Sequence, residues 1–191
     1  MWDALNAFEI GILDFIQNTF KCSFLDVFMK YVTMFGEDGI FFIAMAVIML
    51  FFRKTRKTGL MIGAALLMGF IVGNLTLKPL FARVRPYNFN ESFDMSTLLV
   101  DTLSDRSFPS GHTLCMFEGC VVLFMTQKKY IGIPALVLCS LVALSRLYLY
   151  VHYPTDVLTG AVLGTVFAIL AVKLINKAYA AYEKKHEKQV A

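Results

Sequence analysis

Long apolar runs alternate along this chain with short charged segments. The apolar runs cover residues 39–52, 58–77, 109–126, 130–151 and 156–175. A helix needs ~20 predominantly apolar residues to cross the core of a bilayer, so the pattern predicts five membrane-spanning helices. The first run has only 14 residues. We therefore expect it to extend into the preceding residues or to lie in a locally thinned bilayer.

Residues 1–34 are amphipathic rather than continuously apolar. Apolar side chains recur there at helical spacing, namely Trp2, Leu5, Phe8, Ile12, Phe15 and Ile16. Acidic residues fall between them, namely Asp3, Glu9 and Asp14. The pattern predicts a helix that lies in the membrane interface or packs on the bundle. A second helical piece is expected over residues 24–34, followed by a turn over residues 35–39.

The composition agrees with a membrane protein. Hydrophobic residues make up 58% of the 191 residues and charged residues only 17%, whereas soluble domains average roughly a quarter charged residues. We therefore predict an all-α, polytopic membrane bundle of five to six membrane helices with an N-terminal amphipathic helix. It divides into an interfacial part (1–36), a membrane domain (37–176) and a basic tail (177–191). No cleavable signal peptide is expected at the N-terminus.

The basic residues are distributed unevenly between the two ends of the predicted helices. Eleven of the 18 Lys and Arg residues fall on one side, namely Arg53, Lys54, Arg56, Lys57, Lys128, Lys129, Lys173, Lys177, Lys184, Lys185 and Lys188. The positive-inside rule makes this side cytoplasmic. The C-terminus is then cytoplasmic, and the polar segment 78–108 shares the outer face with the turn 146–156. No basic run is interleaved with aromatic residues, so no nucleic-acid partner is expected.

Two motifs on that outer face could bind an anion. Lys78 precedes Arg85-Pro86 by seven residues, which would place both cations on one side of a helix, ~10 Å apart along its axis. Snorkelling at the membrane edge is the alternative for these cations. Pro109-Ser110-Gly111-His112 opens the third predicted span. A helix N-terminus attracts anions through its free N–H groups, and Ser110 is also suited to be an ordinary cap.

A third motif lies between the fourth and fifth spans, where Arg146 is followed by His152 and, four residues later, by Asp156. Asp156 falls in the first turn of the next helix and could reach back to His152. A carboxylate on one ring nitrogen leaves the lone pair of the other nitrogen free, the arrangement of a nucleophile and its orienting group. The alternative is a pair that stabilises a tight turn.

Together the three motifs suggest a phosphate-sized cage. Lys78, Arg85 and Arg146 would supply permanent cations, and Ser110 and Gly111 would supply neutral donors. We expect His152 to be the nucleophile and His112 the acid for the departing oxygen. No metal and no cofactor are expected, because the loop carboxylates show no Mg²⁺-ligand pattern; these are Asp94, Asp101 and Asp105.

These motifs, in this order, resemble the three signature motifs of the type 2 phosphatidic acid phosphatase superfamily. The matching positions are Lys78, Arg85 and Pro86; Pro109, Ser110, Gly111 and His112; and Ser145, Arg146, His152 and Asp156. The resemblance runs from about residue 37 to 176 and leaves the first 36 residues outside. It implies a metal-independent phosphohistidine mechanism at the outer membrane face. It also implies Lys78, Arg85, Ser110, Gly111 and Arg146 as phosphate binders, and His152, Asp156 and His112 as catalytic residues.

Three further charged residues fall outside the motifs. Glu118 is the acidic residue inside the third span, and we interpret it mainly as a structural group that bonds within the bundle, with contact to a lipid substrate as the alternative. Arg83 and Arg106 are extra outer cations, either solvated at the rim or in contact with a second phosphate or a headgroup.

The sequence therefore predicts an integral membrane phosphatase that removes a terminal phosphate from a lipid phosphate or diphosphate. Undecaprenyl diphosphate, phosphatidylglycerol phosphate and phosphatidic acid fit equally well, because the motifs address only the phosphate. A non-hydrolytic lipid-phosphate binder or transporter is the main alternative. A haloperoxidase that holds vanadate in a similar cage is another, although five spans argue against it. Membrane lipids would surround the protein, and its oligomeric state is left open.

Overall fold

The computed structural model describes residues 2–190, and all regular elements in that range are helical. The α-helices are α1 (Asp3–Phe20), α2 (Ser23–Thr33), α3 (Ile40–Phe51), α4 (Arg56–Gly69), α5 (Lys78–Phe81), α6 (Pro86–Phe89), α7 (Gly111–Thr126), α8 (Lys129–Tyr148) and α9 (Pro154–Val190). Short 3-10 segments cover Met34–Gly39 and Met95–Thr97, and a π-helical stretch, Phe70–Leu77, joins α4 to α5. The all-α prediction is confirmed.

Four helical segments of the described chain are long and apolar enough to cross a membrane: Ser23–Phe51, Arg56–Phe89, Lys129–Tyr148 and Pro154–Lys185. A shorter apolar helix, Gly111–Thr126, brings the number to the five expected. The first span does extend backwards, because α2 continues through the 3-10 segment into α3. The chain kinks there at Asp38 and Gly39, which adopt φ angles of 48° and 68°.

Several helix ends differ from the sequence prediction. Helix α8 ends at Tyr148 rather than near residue 151, because the chain turns at Tyr150, where φ is 60°. Helix α9 begins at Pro154 and continues beyond residue 175 to Val190. The basic segment after residue 177 is therefore a continuation of the last helix.

Helix α7 lies at the centre of the bundle and packs against α4, α8 and α9. Two glycines of α9 allow α7 to approach closely. A Cβ atom at Gly160 would lie 2.8 Å from the carbonyl oxygen of Ser110, and one at Gly164 would lie 2.6 Å from that of Leu114. Small residues permit such close helix contacts in membranes. This contact brings the N-terminus of α7 beside the first turn of α9, where the Ser110 N–H donates to the Asp156 carbonyl over 3.1 Å.

The two ends of the bundle differ in chemistry. At one end, Gln127 Nε2 donates to Thr58 Oγ1 over 3.0 Å, and Lys57 Nζ lies 5.2 Å from the centre of the Tyr179 ring. This end gathers the basic segments 53–57 and 128–129 with the C-terminal part of α9. The opposite end gathers α5, the N-termini of α7 and α9, and the turn after α8, and thus contains the three motifs.

Helix α1 packs on the bundle at the motif-bearing end through a polar stripe. Asn6, Glu9 and Leu13 are its buried residues, whereas Phe8 is 70% exposed and Phe15 is 61% exposed. The sequence predicted a helix that lies in the interface or packs on the bundle, without specifying which face makes the contact. In a membrane protein the apolar face of such a helix is free to meet lipid, and the polar face finds its partners inside.

Candidate active site

Lys78 and Arg85 converge, but not along one helix as the spacing suggested. Helix α5 ends at Phe81, and Ala82 adopts a left-handed conformation with a φ of 44°. The two cations nevertheless bind the same carboxylate. Lys78 Nζ lies 2.5 Å from Asp105 Oδ2, and Arg85 Nη2 lies 2.5 Å from Asp105 Oδ1. The predicted proximity of the cations is thus correct, whereas the predicted helical route to it is wrong.

Arg85 also determines how the His152 ring is protonated. Arg85 Nη1 donates to the Val151 carbonyl over 2.9 Å and lies 3.2 Å from His152 Nε2. A guanidinium group has donors only, so Nε2 must be the acceptor and the proton of the neutral ring resides on Nδ1. That tautomer leaves the Nε2 lone pair on the side of the cations.

The Nδ1 edge of the His152 ring lies near Asp156 and near Ser107, a residue that the sequence analysis did not predict. His152 Nδ1 lies 3.5 Å from Asp156 Oδ2 and 3.5 Å from Ser107 Oγ. Ser107 Oγ itself donates to Asp156 Oδ2 over 2.5 Å, and the Tyr153 N–H donates to the same oxygen over 3.0 Å. The predicted His–Asp pair is therefore present but long for a hydrogen bond. Nothing in the sequence distinguishes Ser107 from the other serines of the loop.

His152 lies in the turn between α8 and α9, and its side chain is only 2% exposed. Burial, followed by the charges of Arg85, Arg146 and Lys78, lowers the pKa of His152 well below the usual value of 6.5. Both effects disfavour a charged imidazole. The ring is therefore neutral near pH 7, and its Nε2 lone pair faces Arg85 Nη1.

The N-terminus of α7 holds the second motif. Ser110 is the N-cap, and its Oγ accepts from the Thr113 N–H over 3.4 Å and from Thr113 Oγ1 over 3.0 Å. The Ser110 side chain is thus fully buried and engaged inside the helix turn. At Gly111 a Cβ atom would lie 3.5 Å from Lys78 Nζ, so the missing side chain leaves room for a ligand beside this cation.

A cavity of about 1210 Å³ connects the motifs to the apolar interior. Its polar end is lined by Lys78, Arg85, Asp105, Gly111, His112 and His152. Its other walls come largely from apolar residues of α3 and α4, among them Ile43, Val47, Leu60 and Leu67. Of the predicted phosphate binders in the described chain, Ser110 and Arg146 do not line it. The cavity is thus charged at one end and largely apolar along its other walls.

Arg146 lies behind the cavity, where it is 2% exposed. Its Nη1 donates to Thr33 Oγ1 over 2.5 Å. Its Nε has no hydrogen-bond partner among the described residues, although buried polar groups are normally paired. The Nε–H group of Arg146 is thus an unpaired donor within the described part of the chain.

Arg83 and Arg106 behave differently from each other. Arg106 is exposed, as expected for a rim cation. Arg83 is only 1% exposed and forms ion pairs with Asp156 and Glu9, each 2.5 Å long. Neither a solvated position nor a free headgroup contact describes it, so both interpretations of Arg83 were wrong.

Asp105 lies at the mouth of the cavity with its side chain 45% exposed. Burial alone would raise the pKa of Asp105, but hydrogen bonds and positive charge from Lys78 and Arg85 outweigh it and lower the pKa to about 2. A carboxylate therefore occupies the space between two cations. No group of three or more His, Cys, Asp or Glu side chains within the described chain is arranged to hold a metal ion.

Glu118 is buried on α7, deeper in the bundle than His112. It packs against Gly69 of α4, where any Cβ atom would collide with the carboxyl group. Its Oε1 has no hydrogen-bond partner within residues 2–190, and the residue contributes to the wall of the cavity. The absence of a side chain at Gly69 thus provides the space for the Glu118 carboxyl group.

The fold and the cluster define a polytopic helical membrane protein whose cavity brings cations and two histidines together. Comparison with known proteins identifies the family. Residues 55–180 match the family model of the PAP2 superfamily, and the chain belongs to that superfamily.

Individual relatives agree with this assignment. The chain is 31% identical over 150 residues to an undecaprenyl-diphosphatase of Sulfolobus acidocaldarius, covering 78% of this chain and 70% of the relative. Its fold is similar to the crystal structure of Aquifex aeolicus LpxE, with a TM-score of 0.73, 28% identity, and coverage of 85% of this chain and 93% of LpxE. It is also similar to a transmembrane PAP2 type phosphatidylglycerolphosphate phosphatase of Bacillus subtilis, with a TM-score of 0.75, 28% identity, and coverage of 92% and 88%. The prediction of a multi-pass membrane phosphatase of this family is confirmed.

Proposed function

We propose that the chain hydrolyses the terminal phosphate of a membrane-embedded lipid phosphate or diphosphate, with His152 as the nucleophile. The observation that carries this proposal is the shared position of His152, Lys78 and Arg85 at the polar end of a cavity whose other walls are largely apolar. A phosphate dianion suits the cations, and a hydrocarbon tail suits the side chains of α3 and α4. A soluble phosphate ester has no hydrocarbon chain to contact the apolar walls of the cavity.

In the proposed reaction the phosphate oxygens replace the Asp105 carboxylate on Lys78 and Arg85. Arg146 contributes its positive charge from behind the cavity, and the N-terminus of α7 adds its partial positive charge. These groups neutralise the charge of the transferring phosphoryl group, as cations do in phosphoryl transfer.

The chemistry takes two steps. The lone pair of His152 Nε2 forms a bond to phosphorus while the bond from phosphorus to the lipid oxygen breaks. His112, which takes up a proton when the phosphate dianion brings negative charge into the site, gives that proton to the departing oxygen. Water then attacks the phosphohistidine, with His112 accepting a proton. The P–N bond breaks and inorganic phosphate leaves. Asp156 and Ser107 hold the Nδ1 side of the ring throughout.

The proposed site faces the outside of the cell. The basic segments 53–57 and 128–129 lie at the opposite end of the bundle, which the positive-inside rule assigns to the cytoplasm. The C-terminus is then cytoplasmic. Two single-cysteine variants in a background without native cysteines test this orientation: Asp101→Cys in the loop of the site, and Lys177→Cys near the other end. A membrane-impermeant maleimide should label only Asp101→Cys in intact cells, and the reverse pattern would contradict the orientation.

The activity is tested by phosphate release from purified protein in detergent with EDTA. The substrates are undecaprenyl diphosphate, phosphatidylglycerol phosphate and phosphatidic acid, and the ranking of rates identifies the preferred lipid. His152→Ala should abolish release, whereas Arg106→Ala, which removes an exposed cation from the same loop, should retain it. A folded wild-type protein that binds these lipids but releases no phosphate would contradict the proposal in favour of a lipid-phosphate binder.

A further inference from the structure

The fully buried Arg83 uses every donor it has. Its Nε and Nη2 donate to Asn6 Oδ1, its Nη1 donates to Thr155 Oγ1 and Asp156 Oδ1, and its Nη2 also donates to Glu9 Oε2. A guanidinium group offers five N–H donors, so no donor remains for a ligand. The rings of Trp2 and Tyr153 cover its two faces, with centroids 4.5 and 3.8 Å from the guanidinium carbon.

Glu9 joins this arginine to the helix that carries Asp156. Its Oε1 accepts from the Thr155 N–H over 2.7 Å, and its Oε2 accepts from Thr155 Oγ1 over 3.0 Å. Thr155 lies in the first turn of α9, beside Asp156. Glu9 belongs to α1, which precedes the segment 55–180 that matches the family model. The N-terminal helix therefore contacts the partner of the proposed nucleophile through one arginine and one threonine.

The net charge of the cluster formed by Arg83, Glu9 and Asp156 sets the electrostatic potential on one side of the His152 ring. Arg83 alone would neutralise Asp156. Glu9 is a second buried carboxylate on the same guanidinium group, so the formal charge of the cluster is one negative charge. His152 has cations on its other side, namely Lys78, Arg85 and Arg146. When its ring gains positive charge during attack on phosphorus, the negative cluster is the favourable counter-charge.

We propose that Glu9 is a positioning residue of the active site, which offsets the positive charge of Arg83 so that the cluster behind His152 stays net negative. The amphipathic helix α1 is then a working part of the enzyme and not only an anchor. This inference rests on the proposed function of His152. The competing explanation is that Glu9 merely fastens α1 to the bundle.

Glu9→Gln separates the two explanations, because glutamine keeps the shape and one of the two acceptor oxygens and removes the charge. We expect kcat to fall by about 10- to 100-fold, the range found when the outer partners of a site histidine are removed. KM should stay within about twofold, since no group that contacts the substrate has changed. Asp14→Asn is the matched control. Asp14 lies on the same helix and accepts from Tyr150 Oη over 2.7 Å, but it does not contact Arg83, and its variant should keep the wild-type kcat.

A double variant moves the charge instead of removing it. Asn6 already accepts from Arg83 Nε over 2.9 Å, so Glu9→Gln with Asn6→Asp returns a carboxylate to the same guanidinium group. We expect kcat to recover to within about threefold of wild type. Thermal unfolding in detergent is followed for every variant. If Glu9→Gln fails to fold, the double variant still tests the inference, because a folded double variant with less than about a tenth of wild-type kcat contradicts it.

The outcomes distinguish this inference from the proposed function. A wild-type protein without phosphatase activity would refute the proposed function itself. An active wild-type protein with an equally active Glu9→Gln variant would overturn only the role of Glu9. Loss of kcat in a folded Glu9→Gln variant, together with recovery in the double variant, would establish that role.

Discussion

Arg83 and Arg85 lie two residues apart and are both buried, yet their surroundings differ. Arg83 is held by Glu9 and Asp156, whose side chains are 3% and 0% exposed. Arg85 is held by Asp105, whose side chain is 45% exposed at the cavity mouth, and it also contacts His152. The partners of Arg83 are buried with it, whereas the partner of Arg85 reaches the cavity mouth, where we expect a ligand to replace it. On this view the exposure of the partner, and not the residue type, separates a structural cation from a binding cation.

The largest expected effect comes from removing Arg83, the cation whose partners are buried. Arg83→Ala would leave the Glu9 and Asp156 carboxylates buried and unpaired, and breaking a buried pair in this way costs about 3–5 kcal/mol. We expect the free energy of unfolding in detergent, measured by chemical denaturation, to fall by that amount. A loss below about 1 kcal/mol, typical of an exposed ion pair, would show that the two arginines are energetically alike.

Removing Arg85, the cation at the cavity, should lower the reaction rate instead of the stability. Arg85→Ala is expected to lower kcat/KM by about 10²- to 10³-fold, the usual consequence of losing one preorganised charge-stabilising donor. Its thermal unfolding should stay closer to wild type than that of Arg83→Ala, because the exposed Asp105 remains hydrated. Steady-state phosphate release checks the rate, with Arg106→Ala as the control for loss of a cation nearby. An active Arg85→Ala protein would remove Arg85 from the site.

Much of this arrangement was predictable from the sequence, because the apolar runs and the three motifs are local patterns. Lys78, Arg85, Gly111, His112 and His152 do meet at one cavity. The break at Ala82 was not predictable, since alanine is an ordinary helix former and the left-handed turn depends on tertiary contacts.

The inward face of α1 was missed for a related reason. Periodicity identifies which residues share a face, but in a membrane protein the apolar face need not be the buried one. Glu9 is an ordinary acidic residue in the sequence. Its importance emerges only when the fold brings Arg83 within 2.5 Å of it.

A smaller effect is expected from the exchangeable carboxylate. Asp105→Asn would remove the resident anion from Lys78 and Arg85 and so favour an incoming phosphate. Two partly exposed ion pairs together are worth about 0.7–1.4 kcal/mol, so inhibition by inorganic phosphate should become about three- to tenfold tighter. Asp101→Asn, in the same loop, should leave the inhibition constant unchanged. Weaker inhibition in Asp105→Asn would mean that Asp105 orders the cations and does not compete for them.

The smallest expected effect is on the protonation of His152. Arg85 contacts the His152 ring directly, whereas Arg83 is linked to it only through Asp156. The pKa of His152 is lowered by burial first and by Arg85 next, so the neutral ring should persist as the pH falls from 8 through 6.5, and protonation should begin only at lower pH. NMR of protein with ¹⁵N-labelled histidine in micelles, assigned with His152→Ala, should show Nδ1 protonated and Nε2 without a proton.

Arg85→Gln should raise the titration midpoint of His152 by about half to one pH unit, because one nearby positive charge is gone. A wild-type midpoint at 6.5 or above would contradict the cationic surroundings, and a proton on Nε2 would contradict the hydrogen-bond assignment and leave the proposed nucleophile without its lone pair.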